Sequence, residues 1–96
     1  MTAETKELFR LALLRVLDAN RTRFGLGIVA IGHHLAPFAF NAANCGGAEK
    51  FHELIADEIE YLTNKRMIEE AGKPLSAENR AWRITGAGLA YVDERG

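Results

Sequence analysis

Three histidines and one cysteine are the side chains of this 96-residue chain best suited to hold a metal or to act as base and nucleophile. Zinc sites recur at spacings such as C-x-x-C or H-x-x-x-H, which return ligands to one point. His33, His34, Cys45 and His52 form no such pair. Adjacent His33 and His34 point to different sides of any helix that carries them. Cys45 with His52 suggests a thiol and its base, but no third orienting group or oxyanion donor is recognisable. Gly25-x-Gly27 and Gly46-Gly47 lack the preceding strand, the following helix and the lysine of a phosphate loop. The expectation is therefore a protein with no enzymatic activity, no metal and no cofactor, in which Cys45 is structural.

Phosphate contact is the other chemistry within reach. Arg21 and Arg23 fall in one polar loop, and Lys73, Arg80 and Arg83 fall near the C-terminus. These five are the candidate nucleic-acid contacts, through charge-assisted bonds to backbone phosphates. The net charge of −1 hides an uneven distribution. Residues 1–24 carry five basic and three acidic groups, while residues 25–48 carry no acid, lysine or arginine. Residues 49–66 carry three basic and five acidic groups, and residues 67–96 carry four and five. No polybasic tail, internal repeat or low-complexity run is present.

The elements that must position these residues follow from periodicity. The spacing predicts a helix over Ala3–Ala19, with Leu8, Phe9, Ala12, Leu13, Val16 and Leu17 on one side and Thr2 as its N-cap. Lys6, Glu7, Arg10 and Asp18 occupy the other side, while Leu11 and Leu14 widen the apolar stripe. Residues 20–25 read as a loop. A second helix is expected over 26–36, ended by Pro37, and residues 37–47 read as an ordered loop with Phe38 and Phe40 packed beneath the domain. The third helix, Ala48–Asn64, is the clearest: Leu54, Ile55, Ile59, Tyr61 and Leu62 fall within about 80° of Phe51. Strands are expected at 67–70 and 80–84, antiparallel and joined by a turn at Gly72, Lys73 and Pro74. A final helix over 86–94 is capped by Thr85.

In "W-R-I-T-G-A-G-L-A-Y-V", residues 82–92, a short strand runs into a helix without a loop. Trp82 and Ile84 share one side of the strand, and Arg83 takes the other. Gly88 lets the last helix approach its neighbour, with Leu89 and Val92 turned to the core. This stretch, with "Y-L-T-N-K-R-M-I-E-E" at 61–70, resembles the wing of a winged helix-turn-helix. The chain's size and layout also resemble the small winged-helix proteins of Mu-like prophages. The resemblance implies a mainly α fold with a two-stranded β-wing, in the order α-α-α-β-β-α, as one domain over residues 1–96. It further implies a regulatory or accessory module that binds double-stranded DNA.

Two features depart from that pattern. The link between the second and third helices, about ten residues, exceeds a tight helix-turn-helix turn. The outer face of the third helix holds Glu49, Glu53, Ala56, Asp57, Glu60 and Asn64, with Lys50 at its edge. Four acids against one lysine repel the phosphate backbone that supplies most non-specific affinity. DNA contact is therefore expected mainly through wing and loop arginines. The alternative is a protein-protein interaction module that keeps the fold without reading a groove.

A chain this short buries only about 60–65% of its unfolded surface, so a homodimer is expected, with Leu11 or Leu14 near the interface. Residues 2–7 lack the basic-then-apolar order of a secretory leader, and no apolar run is long enough to span a bilayer. With one cysteine, a soluble cytoplasmic protein is expected. Glu58 falls about 20° from Phe51, inside the apolar seam, so either the seam bends and the carboxylate reaches solvent along its own methylene stem, or it forms a partly buried pair with a basic residue from the first helix or the hairpin, Arg15 or Arg80.

Overall fold

The computed structural model describes residues 2–72 and 79–95. Helix α1 spans Ala3–Ala19, and the Thr2 hydroxyl accepts from the Thr5 amide at 3.1 Å, satisfying one orphan donor of the first turn. Helix α2 spans Ile28–Leu35 and passes into a 3-10 turn over Ala36–Phe38, where Pro37 removes an amide donor. Helix α3 spans Ala48–Asn64. Strands β1 (Ile68–Glu70) and β2 (Trp82–Ile84) form an antiparallel pair, and α4 covers Gly86–Arg95. The chain is mainly helical with one two-stranded sheet. Among the described residues no helix is long and apolar enough to cross a membrane.

One strand contact was not expected. Leu26, assigned from its apolar neighbours to the start of the second helix, instead pairs with Trp82 as an isolated bridge. The Leu26 amide donates to the Trp82 carbonyl at 2.8 Å and the Trp82 amide donates back at 2.9 Å. Gly25 makes this possible: its φ is +70°, and a Cβ there would stand 2.6 Å from the Trp82 oxygen. The loop between α1 and α2 is thus bonded to the hairpin.

The core gathers Phe9, Leu13, Leu14 and Leu17 of α1, Ile31 and Leu35 of α2, and Leu62 of α3 beneath Ile68 of the hairpin. Leu14 is 0% exposed inside its own chain, which removes it from any interface; Leu11 stays half-buried. Leu8 is 56% exposed, so the buried stripe of α1 begins at Phe9. Phe40 packs edge-on against Phe9, centroids 5.0 Å apart at 88°. Phe38, by contrast, is 40% exposed, because the 3-10 turn and the left-handed Ala39 after it swing that residue outward. The remainder of the loop is ordered by Asn41 and Asn44: the Asn44 amide donates to Asn41 Oδ1 at 2.9 Å, and Asn44 Nδ2 to the Ala39 carbonyl at 3.0 Å.

At the C-terminal end, the Gly88 amide donates to Thr85 Oγ1 at 3.3 Å, while that hydroxyl donates to the Arg66 carbonyl at 2.6 Å. One threonine therefore caps α4 and ties it to the turn after α3. A Cβ at Gly88 would overlap the Met67 carbonyl oxygen and lie 2.6 Å from Ile84 Cγ1. Glycine is required there by proximity.

Candidate interaction surface

The hairpin register sets what its arginines can do. Arg83 stands directly opposite Glu69 across the ladder, and its Nε donates to Glu69 Oε1 at 2.8 Å. Arg80 forks onto Glu70, through Nη2 at 2.9 Å and Nε at 3.3 Å, and lies over the Trp82 ring. The Glu70 hydrogen bond and charge hold Arg80 above its ordinary pKa. Arg21 pairs with Asp18 at 3.2 Å. Three of the five expected phosphate contacts therefore already face a carboxylate. Lys73 lies outside the described residues. Arg23 makes no ion pair among the described residues, and its guanidinium lies 5.3 Å from the Phe24 ring centroid.

The third helix has the opposite character. Glu49, Glu53, Asp57 and Glu60 are all exposed, and among the described residues none of them forms an ion pair. Beside this row a cavity of about 540 Å³ opens between α2, α3 and the hairpin. Its apolar lining comes from Ile28, Ala56, Ile59 and Trp82, with Glu60 and Arg80 on its polar side. The volume falls within the range of about 300–1,000 Å³ typical of ligand-sized clefts. A second, more apolar depression of about 400 Å³ runs between α2 and α3 past Val29, Phe51 and Ile55. No acid, lysine or arginine lines it.

Glu58 is 4% exposed, so it does not reach solvent from the seam. Its partner is Arg10 of α1 and not Arg15 or Arg80: Arg10 Nε donates to Glu58 Oε1 at 2.5 Å. Arg15 is exposed, and Arg80 is taken by Glu70. Arg10 also reaches Glu7 at 3.2 Å and lies 4.0 Å from the Tyr61 ring centroid, which is why Tyr61 is left at the edge of the seam and not within it. Glu7 in turn accepts from the Tyr91 hydroxyl and pairs with Arg95 at 3.1 Å. Burial pulls the Arg10 pKa down, and the Glu58 hydrogen bond and charge more than offset it, so the guanidinium is held above its ordinary value. The network joins α1, α3 and α4 and is structural in geometry.

His33 and His34 are both exposed, Cys45 is buried, and among the described residues no group of three or more His, Cys, Asp or Glu could hold a metal. The residue most at odds with expectation is Phe24, which is 74% exposed. A lone aromatic set between an arginine and a glycine in a polar loop was the available signal, since nothing periodic carries it into the core. Comparison with known proteins finds no family model that matches the chain, and no significant match among curated proteins or solved structures.

Proposed function

We propose that this chain is a protein-protein interaction module on a winged helix-turn-helix type of fold, whose third helix meets a protein partner and does not read a DNA groove. The fold reading is supported by the element order, by the antiparallel hairpin after α3, and by the Thr85 cap that runs β2 straight into α4. The functional reading rests on one observation: the exposed carboxylates of α3 are unpaired among the described residues, while the wing arginines are matched to Glu69 and Glu70. Groove entry would bring Glu49, Glu53, Asp57 and Glu60 against phosphates, with Lys50 alone at the edge of the face to offset four acids. The single buried thiol, Cys45, supports a reducing compartment as the site of action.

A second reading is favoured by Arg23. It lies with Arg21 in an exposed loop bonded to the hairpin, so loop and wing arginines together offer a DNA-binding regulatory module a phosphate contact independent of α3. Fluorescence anisotropy with a labelled duplex separates the two. The interaction module binds no tighter than about 10⁻⁴ M at physiological salt, the weak end of non-specific affinity. Micromolar or tighter binding that disappears in Arg80→Ala/Arg83→Ala would establish the second reading. Binding that instead collapses with Lys50→Ala or Asn64→Ala would show that α3 reads DNA and would overturn the first.

A further inference from the structure

An exposed aromatic side chain, Phe24, and the partly apolar cavity beside α3 belong to neighbouring parts of the same chain. Phe24 is the most exposed of the large apolar side chains described, and it is carried on a loop with Arg21 and Arg23. Arg23 already lies over its ring, forming a compact unit that presents a cation and an aromatic surface together. The cavity has an apolar lining of Ile28, Ala56, Ile59 and Trp82; of the arginine and the acid on its polar side, Arg80 is matched to Glu70, while Glu60 makes no ion pair among the described residues. The unit would bring an aromatic ring to the apolar lining and a guanidinium to Glu60.

We propose that this cavity receives the Arg23–Phe24 unit of a second copy of the chain, and that two copies exchange these loops reciprocally about a two-fold axis. This rests on the reading of the α3 face as a protein-contact surface. Charge argues for a second copy over an unrelated partner: Arg10 and Glu58 already neutralise one another within the chain, but Arg23 of the loop and Glu60 of the cavity wall make no ion pair among the described residues. The chain thus holds both halves of a complementary pair. Topology argues for reciprocity. The Leu26–Trp82 bridge fastens the loop to a residue that lines the cavity, and Ile28, four residues after Phe24, lines it as well. A projecting unit so near its own receptor allows two copies facing one another to make both contacts at once, the self-complementary arrangement of a two-fold interface. Phe24 is exposed and does not line the cavity of its own chain.

The test is a charge exchange between two variants, read by sedimentation velocity across the micromolar range, with circular dichroism to confirm folding. Wild-type protein sediments as a dimer. Phe24→Ser, Arg23→Glu and Glu60→Arg each weaken the dimer by about tenfold or more. An equimolar mixture of Arg23→Glu and Glu60→Arg restores it, because each loop then meets an oppositely charged cavity wall. Wild-type protein that stays monomeric would overturn the proposal. So would a dimer indifferent to all three substitutions, or a mixture that fails to reassociate. DNA anisotropy on the same samples reports separately on the proposed function: a monomer that also fails to bind DNA removes the second copy and leaves the interaction module standing.

Discussion

Arg10 and Glu58, forty-eight residues apart in the chain, meet at 2.5 Å with both side chains largely withdrawn from water. A carboxylate in an apolar seam is tolerable only because the guanidinium is already there, held in turn by Glu7 and stacked on Tyr61. Removing the carboxylate strands the arginine. Glu58→Ala is therefore expected to destabilise the fold by about 3–5 kcal/mol. Glu58→Gln, which keeps an oxygen acceptor, should cost less. Urea denaturation of the two variants checks the order, and equal midpoints for Glu58→Ala and wild type would show that the pair contributes nothing.

Gly88 gives a steric prediction. Even one methyl group there meets the Met67 backbone carbonyl, which cannot rotate away as a side-chain tip could. Gly88→Ala is expected to lower stability by about 1–3 kcal/mol, although alanine is the better helix former. A thermal melt at or above the wild-type midpoint would mean that α4 can slide outward without loss.

Tyr91 gives a pH dependence. Burial raises its pKa first, and the hydrogen bond it donates to Glu7 raises it further, while the cations Arg10 and Arg95 act the other way. A phenol whose folded pKa is raised favours folding fully below its unfolded value of about 10, and loses that contribution as pH climbs through the folded value. Stability should consequently fall with rising pH above about 10, and fall less steeply in Tyr91→Phe. Denaturation midpoints measured at neutral and strongly alkaline pH compare the slopes, and parallel slopes would exclude a role for Tyr91.

Local pattern carried much of the fold. Both long helices begin and end where the apolar spacing placed them, because Thr2 caps the first and the Phe51 seam defines the third. Thr85 was legible for the same reason, since capping involves only the next few residues. What escaped was pairing between distant segments. From sequence, Arg80 and Arg83 of the hairpin segment look available for phosphate, but the register sets Arg83 opposite Glu69 and Arg80 bonds to Glu70. The wheel places Glu58 in the apolar seam and leaves open whether it reaches solvent; that it is buried, and which arginine reaches it, depends on how α1 crosses α3, and no periodicity within α3 holds that information. Leu26 was lost inside an apolar run because a single bridging residue has no alternation to reveal it.

The Leu26–Trp82 bridge also bears on the order in which the chain can fold as it is synthesised. Leu26 leaves the ribosome fifty-six residues before the residue that supplies its backbone partners. Until β2 emerges, the Leu26 amide and carbonyl bond to water, and the part of the core that Trp82 and Ile84 cover is open. At about 5–20 residues per second that interval lasts seconds, far longer than the helices need to form. The first three helices are thus all synthesised before the three-residue strand that covers their core.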